Sequence, residues 1–211
     1  FAGVPQVGCF DTAFHATMPA LHRRMALPKS LSAAGVMRYG FHGLSYQYIS
    51  GALLQASPRA TGKVLMADLG SGASLCVMTG GKSQDTSMSF SALDGLMMSS
   101  RCGSLDPGVI LYLLGQGWDG KRLERLLYKD SGLLGVSGLS GDMRTLRQAS
   151  TSATPTAADA QTALDLFEHR IVQEMGKLVA TIGGLDALAF SGGIGENDVQ
   201  TRLNVCQRLQ F

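Results

Sequence analysis

The sequence predicts a mixed α/β domain in which an antiparallel three-strand unit is followed by alternating helices and strands. Two short apolar runs, residues 63–69 and 74–79, are separated only by a glycine-rich turn, and the pair Gly80-Gly81 then introduces a third strand. Farther along, a long helical pattern leads directly into an apolar strand and a final helix. Consecutive antiparallel strands combined with helix–strand alternation favour a mixed sheet over a purely parallel one.

The composition is that of one ordinary globular domain that binds a small molecule. The 211 residues are 45% hydrophobic, which is enough to bury a substantial core, and no internal repeat or linker divides the chain. Lys and Arg number 18 against 16 Asp and Glu, so the net charge is +2, and no long run of like charge occurs. Neither a nucleic acid nor a membrane surface is therefore expected as a partner.

The cysteines and the chain ends predict a reducing compartment and a longer parent protein. Four cysteines lie far apart without a Cys-x-x-Cys pair, so we expect reduced thiols, no zinc site and a cytoplasmic location. The longest apolar run, residues 109–114, is much too short to span a bilayer. The chain begins without Met and stops inside an amphipathic pattern at residues 205–211, so we expect it to be truncated at both ends.

In the first half of the chain, a short strand is expected near residues 7–10 and a helix over residues 43–57. Pro58 ends that helix because proline cannot continue one. After the three-strand unit, residues 87–105 are rich in Ser, Gly and Met and have no periodicity. Because long ordered loops are usually functional, we predict a site loop there.

Helices dominate the second half of the chain. Asp106 and Pro107 have the residue types of an N-cap and a first helical position, and residues 119–128 predict a further helix. Apolar residues spaced by three or four then predict a long helix that Gly183-Gly184 ends. Its apolar face consists of Ala160, Leu164, Phe167, Ile171, Met175, Leu178 and Ile182.

Two glycine-rich turns at strand ends are candidate ligand sites. In residues 68–74, DLGSGAS, two glycines join neighbouring strands; such a turn exposes backbone N–H groups that bind phosphate, although an ordinary hairpin fits it equally well. A predicted buried strand, residues 185–190, runs into a second cluster, SGGIGEN at 191–197, before a helix over residues 197–209. No G-x-G-x-x-G motif follows a predicted strand and no P-loop motif occurs, which excludes a Rossmann dehydrogenase. The two turns predict one nucleotide held from two sides.

Three polar residues are candidates for chemistry, and each also has an ordinary explanation. Asp11 follows the first apolar run and suits either catalysis near a metal or substrate, or a helix N-cap. His42 precedes a helix and either donates to a phosphate or is a structural histidine. Arg101 lies on the site loop, where it suits an oxyanion, although most arginines are simply surface residues.

Taken together, the motifs resemble the acetate kinase family. They are, in order, FDTAFHATMP, YGFHGLS, DLGSGAS, DTSMSFSALDGLMMSSRCGSLDPGVI, SGLLGVSGLSGDMR and ALAFSGGIGEN. The resemblance implies a ribonuclease-H-like domain of the actin-like ATPase type, with residues 1–211 as a single domain, mainly the C-terminal one of such an enzyme. It also implies transfer of a phosphoryl group from ATP to acetate or another short carboxylate, giving ADP, with Mg²⁺ and in a homodimer.

The resemblance assigns roles to single positions. Asp11 falls on the family's catalytic Asp, and His42 and Arg101 fall on the residues that stabilise the phosphoryl transition state. The nucleotide-binding positions that it implies are Asp68, Leu69, Gly70, Ser71, Gly72, Asp142, Met143, Arg144, Gly192, Gly193, Ile194, Gly195 and Glu196. The first five belong to the phosphate loop, and the last five to a turn against adenosine, where missing side chains admit the nucleoside. Phe41 would line the acyl pocket.

Several positions depart from the family pattern. Asp68 stands where the family has a phosphate-contacting His, and a carboxylate there repels phosphate unless Mg²⁺ lies between them. Tyr46 replaces a second family His, and Ser99-Ser100 replace Gly and Thr. Ala92 replaces a common Pro, which would widen the acyl pocket and leaves the choice between acetate and propionate open.

Two functional hypotheses remain from the sequence. The first is an acetate kinase whose first phosphate loop, substrate-binding Arg and late metal-site Glu lie before residue 1 or after residue 211. This chain alone would then bind nucleotide weakly at most. The second is a catalytically impaired ATP-binding relative, which the changes at Asp68 and Tyr46 favour.

Overall fold

A four-stranded mixed sheet forms the centre of the computed structural model, which describes residues 1–210; Phe211, the last residue of the predicted single domain, lies outside them. The strands are β1 (Lys63–Leu69), β2 (Ala73–Thr79), β3 (Lys82–Thr86) and β4 (Ala187–Ser191). Their order across the sheet is β3-β2-β1-β4. β2 is antiparallel to both β1 and β3, and β4 is parallel to β1, so the predicted mixed sheet is confirmed.

Nine α-helices and two short 3₁₀ helices complete the part of the chain that the structure describes. The 3₁₀ helices span Ala13–Thr17 and Pro58–Thr61. The α-helices are α1 (Lys29–Ala33), α2 (Gly43–Ala56), α3 (Pro107–Gly115), α4 (Gly120–Lys129), α5 (Gly132–Ser137), α6 (Met143–Ser150), α7 (Ala157–Ile182), α8 (Gly192–Asn197) and α9 (Val199–Gln207). No helix within residues 1–210 is both long enough and apolar enough to cross a membrane.

The two faces of the sheet pack against different helices. Alternate residues of a strand point to opposite faces, and in β1 Leu65 and Ala67 join the main core with α7, whereas Val64 and Met66 join a smaller cluster with α2. The 26 residues of α7 extend for about 39 Å, enough to cover one face of the sheet. Phe167, near the middle of α7, is fully buried. Both clusters hold β1 and β2 rigidly, which fixes the turn between them.

The N-cap predicted at Asp106 is confirmed at the start of α3, and Asp119, which the sequence analysis placed inside a predicted helix, caps α4 in the same way. The carboxylate of Asp106 accepts a hydrogen bond from the N–H of Gly108, and that of Asp119 accepts one from the N–H of Arg122. Residues 87–105 contain no helix or strand, as expected for a long loop.

Three expectations about the elements are wrong. Residues 7–10 form no strand and are exposed, because no strand within residues 1–210 lies beside them to pair with their backbone. β4 is only partly buried, since it is the edge strand next to β1. The last helix begins at Val199 rather than 197, because Asp198 caps it by accepting hydrogen bonds from the N–H groups of Gln200 and Thr201.

Candidate functional site

The turn between β1 and β2 brings an imidazole and a guanidinium to one point. A Cβ atom placed on Gly72 would lie 2.8 Å from Nη2 of Arg101 and 3.4 Å from Nε2 of His42. These two side chains therefore occupy the space where a side chain at residue 72 would project. Two side-chain nitrogens beside a glycine-rich turn form an environment suited to an anion.

Asp11 holds the backbone at the start of α2. Its Oδ2 accepts a hydrogen bond from the N–H of His42 at 2.7 Å, and its Oδ1 accepts a longer one from the N–H of Leu44 at 3.3 Å. Each helix start has N–H groups without helical partners, and a carboxylate there is favourable. Asp11 thus reaches across from another segment to cap α2, while lying next to His42.

His42 has a left-handed backbone conformation, with φ of +59°. This conformation is uncommon for residues other than glycine and requires surrounding contacts to hold it. The ring is fixed too, because Nδ1 lies 2.8 Å from Oγ of Ser74 on β2. The Ser74 hydroxyl also contacts the hydroxyl of Tyr46 on α2, and both residues are fully buried. Burial raises the pKa of Tyr46 well above its usual range, so the phenol keeps its proton.

Arg101 is held on the predicted site loop by contacts within the loop and to the turn. Its Nη1 donates a hydrogen bond to the carbonyl of Ala92 at 2.6 Å, which leaves Nη2 directed at Gly72. The N–H of Ser99 donates to the carbonyl of Ser71 at 3.1 Å. The loop and the turn are therefore joined by backbone, and the position of the guanidinium follows from both.

A cleft of about 900 Å³ opens beside the same turn, where Gly70 and Ser71 line it. It brings together three segments that the sequence analysis singled out separately: Gly70-Ser71, residues 142–144 and Gly193-Ile194. Arg147, Gln148, Asn197 and Asp198 complete one wall, together with Ser99 and Gly141. A volume of this size is typical of a small-molecule site.

Arg147 is one of the cleft residues that the sequence analysis missed. Its Nη2 donates to Oε1 of Glu168 at 2.7 Å, to Oδ2 of Asp198 at 3.1 Å and to the hydroxyl of Thr201 at 3.0 Å. Glu168 lies on α7 and is almost fully buried, and its Oε2 accepts a hydrogen bond from Asn204. The arginine thus joins α6, α7 and α9 behind the cleft.

The predicted nucleotide-binding segment 142–144 has a structural role as well as a place in the cleft. Asp142 is the N-cap of α6 and accepts hydrogen bonds from the N–H and the hydroxyl of Thr145. The hydrogen bond from the backbone N–H, above all, lowers the pKa of Asp142. Met143 is largely buried, whereas Arg144 is exposed at the cleft.

Of the second glycine-rich turn, residues 192–196, only Gly193 and Ile194 line the cleft. Gly192 has φ of +76°, and a Cβ atom on it would lie 2.6 Å from the carbonyl of Leu69 and 2.7 Å from Oδ1 of Asp68. Its missing side chain is therefore explained by close packing against β1. Gly195 packs against β1 as well, and Glu196 is exposed outside the cleft lining. Leu69 is a core residue, and Asp68 is half-buried beside Gly192.

Within residues 1–210, no three His, Cys, Asp or Glu side chains cluster in a way that would hold a metal ion by themselves. The four cysteines are free thiols: Cys9 and Cys206 are exposed, Cys102 is half-buried and Cys76 is buried.

The chain belongs to the acetokinase family, whose model matches residues 1–211. Among curated relatives, an acetate kinase from Rhodopseudomonas palustris (strain ATCC BAA-98 / CGA009) is 52% identical over 208 residues, covering 97% of this chain and 51% of that protein. One from Methylocella silvestris is 48% identical over 210 residues, covering 99% of this chain and 50% of that protein. The chain therefore spans about half the length of the curated relatives it matches.

Solved structures agree with the observed fold. The acetate kinase of Entamoeba histolytica aligns with a TM-score of 0.91 at 38% identity, over 95% of this chain and 52% of that chain. A propionate kinase from Francisella tularensis aligns with a TM-score of 0.87 at 37% identity, again over 95% of this chain and 52% of the other. The predicted fold class, the α/β domain of this family, is confirmed.

Proposed function

We propose that this chain carries the nucleotide site and the phosphoryl-stabilising groups of an ATP-dependent acetate kinase, which converts ATP and acetate to ADP and acetyl phosphate by in-line transfer. The observation that carries the proposal is the convergence of His42 and Arg101 on Gly72, in the glycine-rich turn whose Gly70 and Ser71 line the cleft. Membership of the acetokinase family supports the same reaction.

Each polar group has a distinct task in this proposal. Phosphoryl transfer depends mainly on positioning and on neutralising charge at the transferred group, rather than on covalent chemistry. Arg101 and the Nε2 side of His42 donate to its oxygens. Asp11 holds the backbone of His42 by the hydrogen bond at 2.7 Å, and its carboxylate lies next to the reacting group as the family's catalytic Asp.

The nucleotide occupies the cleft in this proposal. Its phosphates lie at Gly70 to Gly72, where the turn has few side chains to obstruct backbone N–H groups. The nucleoside lies against Gly193 and Ile194 in the cleft that residues 142–144 also line. A Cβ atom on Gly193 would contact nothing within 4 Å, so this surface is open for a ligand to approach closely.

Mg²⁺ fits beside Asp68, which provides the carboxylate. That side chain is half-buried and makes no side-chain hydrogen bond within residues 1–210, so its oxygens are available. Mg²⁺ is commonly held by one or two carboxylates together with substrate phosphates rather than by an all-protein cage. When bound there, it would neutralise phosphate charge, which explains how Asp68 can replace the family's His.

The acyl acceptor is acetate or another short carboxylate. Phe41, whose carbonyl accepts a hydrogen bond from Nε2 of the His15 ring at 2.9 Å, adjoins His42 and lines the proposed acyl pocket. A propionate-preferring kinase is the second candidate, because Ala92 is smaller than the family's usual Pro and a propionate kinase is among the similar structures. The ratio of kcat/KM for the two acids decides between them.

The remaining half of the relatives' length is required for turnover in this proposal, with residues 1–211 corresponding mainly to the C-terminal domain. We also propose a cytoplasmic homodimer. Its interface uses the apolar surface of α3, in which Leu111 is 70% exposed and Tyr112 is 65% exposed.

Formation of acetyl phosphate, trapped as a hydroxamate, tests the proposed activity. We expect turnover with ATP, Mg²⁺ and acetate from a full-length polypeptide that carries these residues, and none from the 211-residue chain alone. The competing hypothesis, a catalytically impaired relative, predicts nucleotide binding by the full-length protein without turnover. Ordinary acetate kinase activity from the 211 residues would contradict the proposed need for the second half.

A further inference from the structure

A hydrogen-bonded series of three polar side chains leads from the buried interior to the candidate site. The hydroxyl of Tyr46 contacts Oγ of Ser74, and the same Oγ lies 2.8 Å from Nδ1 of His42. Tyr46 and Ser74 are fully buried. Within residues 1–210, Oγ of Ser74 is the only hydrogen-bond partner of the Tyr46 hydroxyl. The Ser74 hydroxyl has two partners, Tyr46 and His42, and no third. The series of hydrogen bonds therefore ends at the imidazole of His42.

Counting hydrogen-bond donors and acceptors shows which atom of Tyr46, Ser74 and His42 carries each proton. A buried hydroxyl donor without an acceptor is costly, about 1–3 kcal/mol. Tyr46 keeps its proton because burial raises its pKa, and its only acceptor is Oγ of Ser74. The Ser74 proton then has one remaining acceptor, Nδ1 of His42. If Nδ1 carried a proton instead, either the Ser74 or the Tyr46 hydroxyl would have no acceptor.

We propose that Ser74 is a positioning residue whose hydroxyl donates to Nδ1 of His42 and so holds the ring as the Nε2–H tautomer. Nε2 is the nitrogen that faces the position beside Gly72, next to Nη2 of Arg101. A neutral ring in this tautomer still donates a hydrogen bond there, without placing a second positive charge beside the guanidinium.

The consequence for chemistry rests on the proposed function, because the acceptor of Nε2–H would be an oxygen of the transferred phosphoryl group. A donor fixed before the ligand arrives needs no reorganisation during the reaction, which is the advantage of a preorganised site. The opposite tautomer would present a lone pair to the phosphoryl oxygen and would repel it. Ser74 thus determines whether His42 can donate a hydrogen bond to that phosphoryl oxygen.

Side-chain ¹⁵N NMR of the 211-residue chain labelled at histidine tests the tautomer directly, without any need for turnover. The chain has four histidines, and loss of one signal set in His42→Gln assigns the relevant ring. In the wild type at neutral pH, we expect Nδ1 to resonate as an unprotonated nitrogen and Nε2 as a protonated one. In Ser74→Ala, we expect both resonances to shift towards the average of two exchanging tautomers.

Tyr46→Phe is the matched control, because it also removes one buried hydroxyl from this hydrogen-bonded group but leaves the hydroxyl of Ser74 as the donor to His42. We expect it to keep the wild-type Nδ1 resonance. A protonated Nδ1 in the wild type would overturn the assignment, and so would an unchanged His42 spectrum in Ser74→Ala. Equal shifts in the two variants would overturn it as well, since any lost hydroxyl would then disturb the ring. Absence of kinase turnover would contradict the proposed function and leave this test of the tautomer unaffected.

Discussion

Replacing Arg147 by Met should destabilise the folded chain by about 2–3 kcal/mol, because it removes the cation that neutralises Glu168. Breaking one partner of a buried ion pair costs about 3–5 kcal/mol when the remaining charge is left without compensation. The side chain of Glu168 is only 5% exposed, but that of Arg147 is 24% exposed, so water partly replaces the guanidinium and the cost should fall below that range, to about 2–3 kcal/mol. Asn204 alone would remain as a donor to the Glu168 carboxylate.

Urea unfolding at pH 7 measures this loss, and Arg125→Met is its matched control. Arg125 pairs with Asp130 at 3.0 Å, but the two side chains are 77% and 46% exposed, so the same substitution should cost no more than about 0.5 kcal/mol there. Adding Glu168→Gln to Arg147→Met should recover part of the loss, because no buried charge then remains. An Arg147→Met chain as stable as Arg125→Met would refute the reasoning.

Three further predictions concern a histidine, the thiols and the turn. Burial lowers the pKa of His15 below its ordinary 6.5, so the unfolded chain binds more protons than the folded one as the pH falls through 6.5. Stability should therefore decline from about pH 7 to pH 5, and thermal unfolding of His15→Gln should show a smaller decline; an equal decline would contradict this role. Burial raises the pKa of Cys76 to about 12, so iodoacetamide followed by mass spectrometry should modify exposed Cys206 in the native chain and leave Cys76 intact until urea unfolds it; equal native rates would be the contrary result. Gly72→Ala should displace the guanidinium of Arg101, 2.8 Å from the new Cβ, and lower kcat about 100-fold in a full-length enzyme while urea stability changes by less than about 1 kcal/mol. Unchanged kcat would mean that the guanidinium does not act at this turn.

Features that depend on neighbouring residues were predictable from the sequence. The N-cap at Asp106 was of this kind, as was the three-strand unit, because each follows from residues a few positions apart. The strand predicted at residues 7–10 was wrong for the opposite reason, because an apolar run becomes a strand only where another strand lies beside it. Short helices such as α5 and α8 also escaped prediction, since their Gly- and Ser-rich sequences have little helical preference of their own.

The candidate site divides in the same way. The two glycine-rich turns could be identified from the sequence alone. Asp11, however, fitted both a catalytic role and a helix N-cap, because the helix that it caps starts 32 residues later. Arg147 gave no local signal, since its partners Glu168 and Asp198 lie 21 and 51 positions away in the sequence. The resemblance to a family supplied the roles of His42 and Arg101, whereas only the structure could place both of them at Gly72.

The most direct test of the central claim, that the cleft between Gly70, Arg144 and Gly193 binds a nucleotide, is isothermal titration of ATP and ADP into the 211-residue chain with and without Mg²⁺. We predict Mg²⁺-dependent binding by the wild type, loss of the Mg²⁺ dependence in Asp68→His, and loss of binding in Gly193→Val, whose side chain would enter the open cleft without a clash. The absence of binding by the wild type under every condition would contradict the claim, and so would binding that Gly193→Val leaves unchanged.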